Sequence, residues 1–124
     1  MFQIDNQSRQ AIYEQIIGQI ERHILAGLLN SGDKLPSVRS LSVDLHVNPN
    51  TVQRAYAELE RVGVIVTAPG RGAFVSEQSA AVLKDRKTAE SLKSLKALLR
   101  ELNRCGVTKE EIIQFIEANK GGSL

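Results

Sequence analysis

Between Val47 and Gly63 the chain reads V-N-P-N-T-V-Q-R-A-Y-A-E-L-E-R-V-G, and this stretch constrains the fold more than any other. Asn48 is a good N-cap, because its side chain can accept from an amide that has no partner inside the helix. Pro49 takes the first helical position, where an N–H would be unused. Gly63 is the expected C′ residue. Between these ends Val52, Ala55, Tyr56, Leu59 and Val62 keep the i, i+3, i+4, i+7 spacing of a single apolar stripe. The opposite face carries Asn50, Gln53, Arg54 and Arg61. A short helix with one such stripe has to be seated on neighbours.

The neighbours follow from the pattern on either side. From about Ser8 to Ala26 the residues Ile12, Tyr13, Ile16, Ile17, Ile20, Ile24 and Leu25 keep helical spacing, and Gly27 is a natural stop. Leu28 to Lys34 is turn-rich and predicts a loop whose end Leu35 anchors in the core. Pro36-Ser37 opens a second helix with Ser37 as its cap and Val38, Leu41, Ser42 and Leu45 facing inward. Only His46-Val47-Asn48 separates it from the third, which is a helix-turn-helix arrangement. After Gly63, the β-branched Val64 to Thr67, the turn residues Ala68 to Gly72 and the apolar Ala73 to Val75 predict a β-hairpin. The expected fold is mainly α with a small β-hairpin, a winged helix-turn-helix followed by a C-terminal two-helix segment. Phe2 and Ile4 alternate with polar residues, which fits either a short strand or an arm packed on the body.

The polar face of the third helix carries the chemistry. Asn, Gln and Arg side chains pair bidentately with adenine and guanine edges in the major groove, and a recognition helix makes its base contacts from its first turns. Arg39 falls outside the apolar stripe near the start of helix two, where it can reach a phosphate or a base. Arg71 stands between two glycines at the hairpin tip, so the backbone can approach a sugar-phosphate ridge and aim a guanidinium into the minor groove. The competing reading is a solvated helix face and an ordinary surface hairpin.

Charge is a local argument here. Residues 1–77 hold Arg9, Arg22, Lys34, Arg39, Arg54, Arg61 and Arg71 against eight Asp/Glu, so DNA affinity depends on where the arginines point. The positive excess behind the net charge of +2 lies in residues 78–124. A winged helix used as a protein-interaction module is therefore the alternative function. A polar reading face argues against it, since protein-binding surfaces favour aromatic and aliphatic side chains.

Catalysis is not expected. Pro69-Gly70-Arg71-Gly72 lacks the following helix and the lysine of a phosphate loop. His23 and His46 lie on different helices, and Asp44 with His46 falls short of the three or four ligands of a metal site, so no cofactor or metal is predicted. Cys105 is the single cysteine, which excludes an intrachain disulfide. No signal peptide and no apolar run of roughly 20 residues is present, so the expected setting is cytoplasmic with no membrane contact.

The segments I-Y-E-Q-I-I (Ile12–Ile17), G-D-K-L-P-S-V-R (Gly32–Arg39), V-N-P-N-T-V-Q-R-A-Y-A-E-L (Val47–Leu59) and G-R-G-A-F-V (Gly70–Val75) resemble, in order, the DNA-binding domain of the GntR family of bacterial transcription regulators. The N-P-N-T-V sequence and the short C-terminal part look most like its YtrA-type branch. The resemblance implies a homodimeric winged-helix regulator, usually a repressor, that binds an inverted repeat in double-stranded DNA. It implies DNA contacts at Arg39, at Asn48, Pro49, Asn50, Thr51 and Gln53, and at Gly70, Arg71 and Gly72, with Arg54 and Tyr56 as further candidates. Some members place arginine where Gln53 stands, and relatives often have proline where this chain has Ala11, which bears only on the entry to helix one.

From Gln78 to Arg104 the sequence is rich in Ala, Lys, Leu, Glu and Arg without proline or glycine, which predicts one long helix. Leu92, Leu95, Leu99 and Leu102 have the 3-4-3 spacing of a packed seam, flanked by Leu98. After Cys105-Gly106-Val107, Thr108 to Glu111 forms a capping box for a last short helix with Ile112, Ile113, Phe115 and Ile116 on its apolar side. Two helices cannot bury so many aliphatics between themselves. A symmetric reader also needs two copies with recognition helices roughly 34 Å apart, so a homodimer interface through Leu92, Leu95, Leu99, Leu102, Ile112, Ile113 and Ile116 is expected. The predicted organisation is a DNA-binding domain over 1–77 and a helical dimerisation segment over 78–124. Only 47 residues follow Glu77, too few for a self-contained small-molecule pocket. An unknown effector would have to bind between subunits or between the long helix and the winged helix.

Overall fold

The computed structural model describes residues 2–119, so the Lys120–Leu124 tail, expected to fray, lies outside the described residues. Its elements are α1 (Ile12–Leu25), α2 (Val38–Leu45), α3 (Pro49–Arg61), β1 (Ile65–Ala68), β2 (Gly72–Val75), α4 (Ser79–Arg104) and α5 (Lys109–Asn119). These are the three helices, hairpin and two further helices that the pattern predicts.

The core forms where the apolar stripes meet. Ile16, Ile20 and Ile24 of α1, Leu41 of α2, and Val52, Ala55, Tyr56 and Leu59 of α3 are buried together with Val64, Ile65 and Val75 around the hairpin. Leu35 is buried at the end of its loop. Leu25 is not part of this core; it is 53% exposed, because α1 ends there and Gly27, at φ 79°, turns the chain away.

Helix α1 starts at Ile12 instead of Ser8. The Ser8 amide donates to the Asp5 carbonyl (3.2 Å), and the Gln15 amide side chain donates to the carbonyls of Asp5 and Gln10 (3.0 Å each). Those acceptors are thereby taken by a side chain and not by a preceding helical turn. Residues Phe2 to Asp5 form a packed arm and not a strand. The Gln3 amide donates to Gln19 Oε1 (2.8 Å), Gln19 Nε2 donates back to the Gln3 carbonyl, and the Asp5 amide donates to Gln15 Oε1 (2.9 Å). Two glutamines one turn apart on α1 thus supply the pairing that a neighbouring strand would give. Phe2 is buried with its ring 5.2 Å from that of His23.

The hairpin pairs Ile65 with Val75 through Ala68 with Gly72. It is fastened at both ends: Ser76 Oγ donates to the Gly63 carbonyl (2.6 Å), and the Thr67 amide donates to Glu60 Oε2 on α3 (3.1 Å). An isolated bridge from the preceding loop to the hairpin was not evident in the sequence. Lys34 bridges Phe74, with Leu35 donating to the Ala73 carbonyl and Val75 to the Asp33 carbonyl (2.9 Å each).

By its contacts the chain separates into two compact units, one up to Arg86 and one from Lys87. The first takes in the opening turns of α4 beyond Glu77, since Ser79 and Leu83 are buried and Arg86 pairs with Glu21 at 2.9 Å. In the second, Thr108 and Glu111 cap α5 reciprocally, the Glu111 amide donating to Thr108 Oγ1 (3.2 Å) and the Thr108 amide to Glu111 Oε1 (3.1 Å). No helix among the described residues is long and apolar enough to cross a membrane.

Candidate nucleic-acid interface

Both ends of α3 are fixed by local chemistry. Asn48 Oδ1 accepts from the Asn50 amide at 2.8 Å, the Asn48 carbonyl accepts from Thr51 at 2.9 Å, and Pro49 has no N–H to satisfy. At the other end Gly63, at φ 89°, donates to the Glu60 carbonyl and Val64 donates to the Leu59 carbonyl, a Schellman stop. With the apolar stripe buried beneath, the helix has little freedom to roll. Asn50, Gln53 and Arg54 are therefore held outward, exposed, while Thr51 is half-buried. The Asn48 oxygen is committed to the cap.

Arg39 is exposed on α2, whose start is capped by Ser37 Oγ accepting from the Ser40 amide (3.0 Å). The turn that joins α2 to α3 contains His46 at φ 56°, ψ 44°, a left-handed position occupied by a residue with a Cβ. The Val47 amide closes it by donating to the Ser42 carbonyl at 3.0 Å.

At the tip of the hairpin Pro69 and Gly70 occupy the central positions of a tight turn, with Gly70 at φ 77° and the Arg71 amide donating to the Ala68 carbonyl at 2.9 Å. Arg71 is exposed. The two flanking glycines differ. Open space surrounds the missing Cβ of Gly70, whereas a Cβ on Gly72 would meet Lys34 Cε at 3.0 Å. Gly72 is thus favoured by its φ of 117°, while the flexible end of the lysine across it could give way. Lys34 is the residue the sequence reading missed, because only the bridge to Phe74 brings its ammonium to the hairpin.

Two of the residues on or near this face are already engaged within the protein. Arg61 donates from Nε to Glu58 Oε2 at 3.0 Å, and this bond holds the Glu58 carboxyl below its ordinary pKa while raising that of Arg61. Tyr56, a candidate contact by resemblance, belongs to the core instead. It is 6% exposed, its hydroxyl donates to the Pro36 carbonyl at 2.7 Å, and burial pushes its pKa up to about 12. Among the described residues, Lys34, Arg39, Arg54 and Arg71 have no ion-pair partner. Arg9, Arg22 and Lys84 of the same unit likewise have none, so free cations are present outside this face as well as on it.

The seven aliphatic residues expected at a subunit interface are all on α4 and α5. Leu92 is 60% exposed, Leu95, Leu99, Leu102, Ile113 and Ile116 are also exposed, and Ile112 is half-buried. Phe115, on the same short helix, is 69% exposed. No group of His, Cys, Asp or Glu among the described residues could hold a metal ion.

With this geometry in place, the chain can be set beside known proteins. Residues 12–75 match the family described as bacterial regulatory proteins, gntR family. The chain is 44% identical over 117 residues to the HTH-type transcriptional repressor YtrA of Bacillus subtilis (strain 168), covering 94% of this chain and 90% of that protein. Among solved structures, a transcriptional regulator from Oenococcus oeni is similar over 95% of this chain and 98% of that one, with 32% identity and a TM-score of 0.80. A GntR family transcriptional regulator from Listeria monocytogenes is 36% identical over 94% of this chain and 100% of its own, with a TM-score of 0.67.

Proposed function

The chain belongs to the GntR family of bacterial regulatory proteins, and on that premise we propose that it is a sequence-specific DNA-binding transcription regulator that represses from an inverted-repeat operator as a homodimer. One observation carries the reading. The outward face of α3, fixed by its caps and seated on the core, presents Asn50, Gln53 and Arg54 exposed, and Arg39 on α2 and Arg71 on the hairpin are exposed as well. These are the side chains that read base edges and neutralise phosphates.

In this reading α3 enters the major groove, Asn50 and Gln53 meet base edges, Arg39 meets the backbone, and Arg71 at the hairpin tip enters the minor groove. Asn48 and Pro49 shape the start of the helix where the backbone passes, Thr51 supports it, and Gly70 and Gly72 let the wing approach. Residues 1–77 form the reader, against which the opening turns of α4 up to Arg86 pack, and the rest of 78–124 serves dimerisation. Leu92, Leu95, Leu99, Leu102, Ile112, Ile113 and Ile116 meet their counterparts in a second copy, because their exposure otherwise costs about 25 cal/mol for each Å2 of apolar surface left in water. YtrA of Bacillus subtilis bears the name of a repressor, which supports the sign of regulation.

The test is the affinity of the purified protein for duplex DNA as a function of salt. Release of counterions predicts that log K falls linearly with log salt, by about 0.9 for each phosphate neutralised, and that a preferred site survives at salt concentrations that abolish random binding. Absence of duplex binding at low salt would favour a winged helix that docks on protein.

A further inference from the structure

We propose that Tyr13 of α1 is a positioning residue that holds the Arg54 guanidinium ready for a DNA phosphate; this rests on the DNA-binding reading above. The Arg54 Cζ lies 3.8 Å from the centroid of the Tyr13 ring, a cation–π stack between residues 41 positions apart. The ring is half-buried at the edge of the core and sits on a helix that packs against α3, so it is a fixed platform. Stacking occupies the flat face of a guanidinium and leaves its N–H donors, which point outward in the plane, unused. Arg54 is exposed and enters no side-chain hydrogen bond or ion pair among the described residues. The nearest acid on its own helix, Glu58, is already bound by Arg61.

The direction of the stack selects the ligand. At 100° per residue Arg54 stands 40° from Asn50 and 100° from Gln53 around α3, so all three start from one face. The stack then draws the Arg54 head off that face and onto α1. A group at the flank of a helix lying in the major groove meets the sugar-phosphate ridge, and a planar donor fork matches phosphate oxygens. Pre-ordering the side chain reduces the rotamer freedom lost on contact.

Binding constants for a retained duplex, measured over a range of salt for wild type, Tyr13→Leu, Arg54→Ala and the double variant, test this. Arg54→Ala should weaken binding roughly tenfold on every sequence and lower the salt slope by about one. Tyr13→Leu should weaken it about two- to fivefold, the size of an exposed cation–π contact, with the slope unchanged because the charge remains. In the Arg54→Ala background Tyr13→Leu should cost nothing further. Arg54→Lys keeps the charge without the planar fork, and should also lose affinity at constant slope. An equal Tyr13→Leu loss in both backgrounds overturns the inference, as does an Arg54→Ala loss confined to one base pair. These failures differ from failure of the DNA-binding reading, in which wild type itself retains no duplex.

Discussion

Tyr56 illustrates how one side chain serves the reader without touching its ligand. Its ring fills the core side of α3 and its hydroxyl ties that helix to the Pro36 carbonyl at the entrance to α2. A phenol pushed from 10.0 to about 12 by burial must stay neutral in the folded protein. The folded-state pKa is the higher one, so the stabilisation is complete below pH 10 and is lost as pH rises from 10 through about 12. The gap corresponds to about 2–3 kcal/mol. Chemical denaturation at a series of alkaline pH values should show this decline in wild type, and Tyr56→Phe should remove it. At pH 7 the same variant should be less stable by about 1–2 kcal/mol, because the Pro36 carbonyl loses its donor. A wild-type stability flat from pH 9 to pH 12 would contradict this.

The turn between α2 and α3 carries backbone strain. His46 occupies a left-handed conformation that costs a residue with a Cβ about 1–2 kcal/mol. His46→Gly should therefore raise stability by about 0.5–1 kcal/mol, and His46→Val should lower it by at least as much, with thermal unfolding as the readout. The Schellman stop of α3 does not depend on distant parts of the chain, and such local signals are what a sequence displays. Asn48, Pro49, Gly63 and the Thr108–Glu111 box could be read directly for this reason. The features that could not be read are those made by distant residues. The start of α1 is set by Gln15 reaching back to Asp5 and Gln10, the bridge from the loop to the hairpin by Lys34 meeting Phe74, and the posture of Arg54 by Tyr13. Periodicity likewise identified which face of α3 is apolar but not which of its arginines is already paired. Only the structure separates Arg61, bound to Glu58, from Arg54, which keeps its donors free of side-chain partners among the described residues.

At the scale of the whole chain, a unit built on a buried core is followed by helices whose large apolar side chains are exposed. Among the described residues α5 buries no side chain fully, and α4 buries only Ser79 and Leu83. Such exposure is what a homodimer through the leucine seam would relieve. Replacing Leu95 and Leu99 with glutamate should give a monomer in sedimentation equilibrium whose reader remains folded and whose affinity for a symmetric site falls by at least tenfold. An unchanged mass would remove those residues from the interface. The most direct single measurement is selection of duplexes from a random pool by the purified protein, followed by sequencing of what it retains. Enrichment of a two-fold-symmetric site, with half-sites about one helical turn apart, is the predicted result. Retention of no preferred sequence at low salt, or of an unpaired half-site alone, would contradict a symmetric reader of DNA.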